Sequence, residues 1–171
     1  MAEYTLEQAK SLLNAEQFKE AATALNTLIG KNKNNDELWY LRGLVSLKLK
    51  NYDTAHEYFE HALWISQKPA YYKIKGMAHM EMYDFEQAVE QLEKAAELDK
   101  KDVSTFFYIA ICYMFLNNPL GKEYLQRAYF LDKKKAKQLI KNFYSIFFKE
   151  EKLLNSKIKK ALESKIDSIP T

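Results

Sequence analysis

One pattern is written twice in the middle of the chain, and a pattern written twice restricts the fold more than any composition does. Asn51-Tyr52-Asp53-Thr54-Ala55 leads through Phe59 to Ala62, and Asp84-Phe85-Glu86-Gln87-Ala88 leads through Leu92 to Ala95. Ala55 and Ala88, Phe59 and Leu92, Ala62 and Ala95, and, upstream, Gly43 and Gly76, lie 33 residues apart. A fixed spacing of this length marks stacked units, each too small to bury its apolar face alone. Within each copy, apolar residues at i, i+4 and i+7 share one helix face, with alanine where a neighbouring backbone comes close. Gly43 and Gly76 fall inside the preceding helix, where glycine costs roughly 1 kcal/mol against alanine. Close helix packing is the expected compensation.

Two further copies flank this pair. Phe18, Ala21, Leu25 and Leu28 precede Tyr52, Ala55, Phe59 and Ala62 by 34 residues each. Their first helix is expected from about Thr5, an N-cap with Gln8 three residues on, to about Asn14. The fourth copy reads Phe106, Ala110 and Tyr113, then Gly121, Leu125 and Ala128; its turn, Asn117-Asn118-Pro119, sets a capping asparagine before a proline at the first helical position.

These residues resemble the tetratricopeptide repeat, a 34-residue helix-turn-helix unit. Trp39, Gly43, Tyr52, Ala55, Phe59 and Ala62 match its pattern in the second copy, and Tyr72, Gly76, Ala88, Leu92 and Ala95 in the third. Arg42, Ser46, Lys75 and His79 depart from it. The resemblance implies an all-α fold, a right-handed α-α superhelix of four repeats (about 2–34, 36–68, 69–102 and 103–134) followed by basic C-terminal capping helices over 133–171.

Net charge hides the change at that last boundary. Residues 133–171 hold 11 Lys against 4 acidic residues, a formal +7, whereas residues 1–132 hold 15 basic and 19 acidic residues, a formal −4. A helix near 134–148, with Leu139, Ile140, Phe143 and Phe147 on one face, is assigned to cap the array. A last helix, about 150–167, carries the stripe Leu154, Ile158, Leu162, Ile166, and the short link before it predicts a hairpin back onto the capping helix. The chain's own groove, filled in cis, and a second copy of the protein, as a homodimer, are the alternative covers for that stripe.

The sequence offers little chemistry. His56 and His61 are five apart, about 140° around a helix, so they do not share the face that a metal pair needs. No glycine-rich phosphate loop exists, since the glycines stand isolated at 30, 43, 76 and 121. The single Cys112 sits in an apolar run and reads as a buried structural thiol. No signal-like N-terminus or apolar run of ~18 residues is present, so a cytoplasmic protein without a transmembrane segment is expected. Neither catalysis, nor a cofactor, nor a metal is expected.

The resemblance directs attention to the first helices, whose side chains line the concave face of such arrays. Mapped onto this chain, the candidate partner-binding residues are Tyr40, Leu44, Leu47, Lys73, Met77, Met80, Phe107, Ile111, Met114 and Phe115. The carboxylate clamp by which some members hold chaperone tails is missing, because its positions carry residues such as Leu6, Leu41, Ala70 and Ile74. An apolar groove with methionines suits a partner's helix or extended peptide. The function expected is a non-enzymatic adaptor that binds a protein segment there. The alternatives are a small secretion chaperone for an apolar client, or lysine-rich C-terminal helices that meet nucleic acid or an anionic membrane.

Overall fold

The computed structural model describes residues 4–147, together with Lys160 and Ser164. The hairpin predicted for 150–167 therefore lies outside the described residues. Among these, nine helices and no strand are present: α1 (Leu6–Asn14), α2 (Phe18–Lys31), α3 (Asp36–Lys48), α4 (Tyr52–Ile65), α5 (Pro69–Glu81), α6 (Phe85–Leu98), α7 (Val103–Phe115), α8 (Leu120–Leu131) and α9 (Lys133–Phe147). The fold is all-α and built of helix-turn-helix repeats. Two compact units are present: α1–α6 belong to the first, Met1–Leu98, and α7–α9 to the second, Asp99–Thr171. The change of charge after Asp132 is not a boundary between units, since α9 packs on both α7 and α8.

In the second and third repeats a glycine of the first helix admits a large side chain of the second. A methyl group at Gly43 would enter the Phe59 ring, and one at Gly76 would lie 2.6 Å from Leu92 Cγ. Phe59 and Leu92 are fully buried, as are Ala55, Ala62 and Ala88 beside them. The predicted compensation for a mid-helix glycine is thus observed in both copies. Gly30, by contrast, has nothing within 4 Å of its added methyl.

The turn inside each repeat is the same in all four copies. Glu16, Lys50, Tyr83 and Asn117 take left-handed φ values of 58°, 61°, 61° and 53°. Each donates its N–H to the carbonyl three residues back, and the next residue donates to the carbonyl five back, as in Glu16 to Leu13 at 3.1 Å and Gln17 to Leu12 at 2.9 Å. This is the Schellman arrangement, which satisfies the last carbonyls of the first helix. Starts are capped as well: Thr5 and Gln8 form the reciprocal capping box that their spacing predicts, Asn35 caps α3 and Asp102 caps α7.

Polar ties join successive repeats. Tyr71 donates to Asp36 Oδ2 at 2.7 Å, and Lys68 Nζ meets the same carboxylate at 2.5 Å. Burial, and then the Asp36 carboxylate, push the Tyr71 phenol up to about 12. Between α4 and α5 the rings of His56 and His79 stand 4.2 Å apart, and His79 Nδ1 lies 3.2 Å from Asp84 Oδ2. Burial pushes both imidazoles below their ordinary range, an effect that Asp84 opposes at His79. His56 Nε2 is buried without a hydrogen-bond partner.

Three expected outcomes follow from this packing. Gly43→Ala lowers stability by about 1–3 kcal/mol through overpacking, whereas Gly30→Ala raises it by about 0.5 kcal/mol, both read from urea midpoints. Glu16→Gly relieves the left-handed strain and raises stability by about 1 kcal/mol in the same assay. Because both folded histidines hold their protons less tightly than the unfolded chain, the stability they permit is complete above about pH 6.5 and is lost as pH falls below it. The melting temperature should drop from pH 7 to pH 5, and His56→Leu should flatten that slope; an equal slope in the variant removes this pair as its cause.

Candidate partner-binding surface

Each unit presents its own part of the expected surface. In the first unit, Tyr40, Leu44 and Leu47 succeed one another along α3, and Met77 and Met80 lie along α5. Tyr40 is half-buried, stacks on Tyr71 at 4.7 Å between ring centroids and tilts onto Phe59 at 6.3 Å. Burial raises the pKa of its phenol. Leu44, Met77, Met80 and Lys73 are likewise half-buried. Leu47 is enclosed, packed with Ala55, Phe59 and Ala78. It therefore belongs to the core and offers no face to a partner.

Ion pairs frame this apolar strip at two places. Lys10 on α1 reaches Glu37 on α3 at 3.0 Å, and Lys50, in the turn after α3, reaches Glu81 on α5 at 2.7 Å, with Tyr52 OH donating to the same carboxylate at 3.4 Å. Both pairs are solvent-facing, so each fixes the spacing of neighbouring first helices more than it adds stability. The strip between them can bury apolar side chains of a ligand, and the charged border can meet its backbone or polar groups.

In the second unit the four residues named from sequence separate into two kinds. Phe107 and Ile111 are 2% and 5% exposed, and the Phe107 ring meets Phe143 of α9 edge-on at 6.2 Å. They are enclosed rather than presented, because repeat numbering tells which way a side chain leaves its helix but not which later helix covers it. Met114 and Phe115, one turn further on, are 57% and 51% exposed. Of the residues mapped from sequence, Tyr40, Leu44, Lys73, Met77, Met80, Met114 and Phe115 are at least partly exposed, and Leu47, Phe107 and Ile111 are enclosed.

Groups with chemical potential are occupied elsewhere. His61 stacks on Trp39 at 4.4 Å, while His56 faces His79, so the two histidines of the string 56–61 diverge. Burial pushes the Cys112 thiol up to about 12, far from the thiolate that a nucleophile needs. Among the described residues no three His, Cys, Asp or Glu side chains converge as metal ligands, and no helix is long and apolar enough to cross a membrane. Sequence reasoning passed over the exposed Trp64 on α4 and Phe130 on α8, because the repeat pattern singles out neither.

Comparison with known proteins bears on the fold and the family. The sequence pattern of the tetratricopeptide repeat matches residues 6–71 and, separately, residues 69–102. A TPR repeat-containing protein of Methanocaldococcus jannaschii is 24% identical over 108 residues, which are 63% of this chain and 19% of that protein. The chain therefore spans about a fifth of the curated relative it matches. Among solved structures, a crystal structure of MamA superposes with a TM-score of 0.72 at 18% identity, covering 77% of this chain and 78% of that one. MamA from Desulfovibrio magneticus gives 0.71 at 19% identity, covering 94% and 90%. The Cut9-Hcn1 hetero-tetramer of APC/C gives 0.69 at 18% identity, covering 80% and 29%. At such identities the likeness shows a shared fold. Two matches that together run from residue 6 to residue 102, on repeats whose glycine seats and turns coincide, place the chain in the tetratricopeptide repeat family, a family of protein-interaction scaffolds that is generally non-catalytic.

Proposed function

We propose that this chain is an adaptor that holds a helix or extended peptide of a protein partner against the first helices of its repeats. The observation that carries this reading is the half-buried strip of Tyr40, Leu44, Met77 and Met80, bordered by the Lys10–Glu37 and Lys50–Glu81 pairs. Methionine side chains adapt to a ligand's apolar anchors, aromatic ones give large contact area at small entropic cost, and paired charges at the rim set register rather than affinity. Met114 and Phe115 form a second apolar patch, on the second unit, that the same kind of ligand could use.

The test is capture of partners from the native cell by the wild-type chain and by Met77→Glu/Met80→Glu. The variant should lose capture by at least about tenfold, equal to ~1.4 kcal/mol, with its helicity and melting temperature unchanged. Loss of fold would show the two methionines to be core and end the assignment. Capture that survives the variant but disappears with Lys133→Glu/Lys134→Glu would favour the anionic-ligand reading. A single insoluble apolar client kept in solution by the wild type would favour the secretion chaperone.

A further inference from the structure

Two large apolar side chains stand further out of the structure than any others described, Phe130 at 86% and Trp64 at 82% exposed, and their surroundings are of opposite charge. We infer that they meet: the Phe130–Lys134 corner of one copy docks on the Trp64 face of a second copy of this chain. This surface is separate from the apolar strip of the first helices.

The face around Trp64 is built to accept a cation. Helix α4 carries Asp53, Glu57 and Glu60 and no lysine or arginine, and its last turn has no base to offset the negative end of the helix. Glu57, Glu60, His61 and Trp64 wall an open hollow of about 620 Å³. Glu60 and Trp64 also edge a cleft of about 510 Å³ that continues to Glu90 and Lys94 on α6. The bases there are engaged, Lys75 with Glu60 and Lys94 with Glu90, so the acidic excess beside Trp64 rests with Glu57. An exposed indole beside carboxylates is the strongest side-chain platform for an ammonium group.

The corner at the end of α8 has the complementary make-up. Phe130 and Leu131 are exposed, and α9 follows at once with five lysines and no acid. Lys133, Lys134, Lys135 and Lys137 crowd its first turns, where cations face the positive end of the helix dipole. Asp132, whose carboxylate accepts the Lys135 N–H at 2.9 Å, is the acid at that corner, and Lys135 Nζ leans towards Asp102 at 3.8 Å. Lys133 lies over the Tyr129 ring at 5.9 Å. Docking places Phe130 on Trp64, removing both from water, and brings Lys134 to Glu57. Because the two patches differ, the contact is heterologous and yields either a closed ring or an open head-to-tail chain.

Sedimentation of the full chain over a range of concentration tests this directly. The wild type should form concentration-dependent oligomers, which dissociate as salt rises from about 0.01 M to about 1 M and screening shortens from about 30 Å to about 3 Å. Trp64→Ala, Phe130→Ala, Glu57→Lys and Lys134→Glu should each weaken association by about tenfold or more with unchanged circular dichroism. Glu57→Lys mixed with Lys134→Glu should associate again, since each supplies the charge the other has lost. A wild type that stays monomeric at every concentration overturns the inference, and so does association that Trp64→Ala and Phe130→Ala leave intact. Mixed charge variants that fail to re-associate overturn the pairing of Lys134 with Glu57.

Discussion

Everything in the first unit depends on how closely two helices of one repeat can approach. Phe59 and Leu92 fill the space that a side chain at Gly43 or Gly76 would take, so the glycines are absent volume to which large residues are fitted. Protein interiors tolerate neither gaps nor overlap, and this one fit fixes the distance within the hairpin and which face of the second helix turns inward. The alanines around Phe59 and Leu92 serve the same end with less demand. Next to this steric fit, the ion pairs on the surface are adjustments.

Much of this was legible in the sequence because it is periodic. The repeat of Gly43 at Gly76 and of Phe59 at Leu92 is a spacing, and a spacing can be read without coordinates. So can the capping box of Thr5 and Gln8, which depends on residues three apart. The intra-repeat turns were not legible: three of the four left-handed positions carry Glu16, Lys50 and Tyr83, residues that do not announce that conformation, and only Asn117 is of a type that favours it. There the tertiary fit of the two helices dictates the turn and overrides local preference.

The candidate surface shows the same division. Tyr40, Leu44, Met77 and Met80 are half-buried on first helices. Phe107 and Ile111 follow the identical numbering and are enclosed, because Phe143 of α9 comes from outside the repeat count. Position within a repeat tells direction; burial is set by whatever packs next, and no alignment of one repeat on another contains that information. Trp64 is the converse case: as an outward residue of a second helix it is unremarked by the pattern, and only its exposure brings it to notice.

The four identical turns also bear on how such a chain can change length. Each first helix ends on the same pair of hydrogen bonds, so equivalent residues of successive copies are interchangeable as splice points. Removing residues 16–49 would join Ala15 to Lys50, two positions that already occupy corresponding places at and just after a helix end. The seam would fall in a turn whose geometry is common to both parents, but it would remove Gly43 and set Ala9, its equivalent 34 residues earlier, opposite the Phe59 ring. Duplication across the same seam works in the opposite direction. A cut in the connection between repeats, after Lys31 and again after Ile65, would instead keep Gly43, its turn and Phe59 together, so that boundary, and not the turn, delimits a repeat that can be exchanged whole.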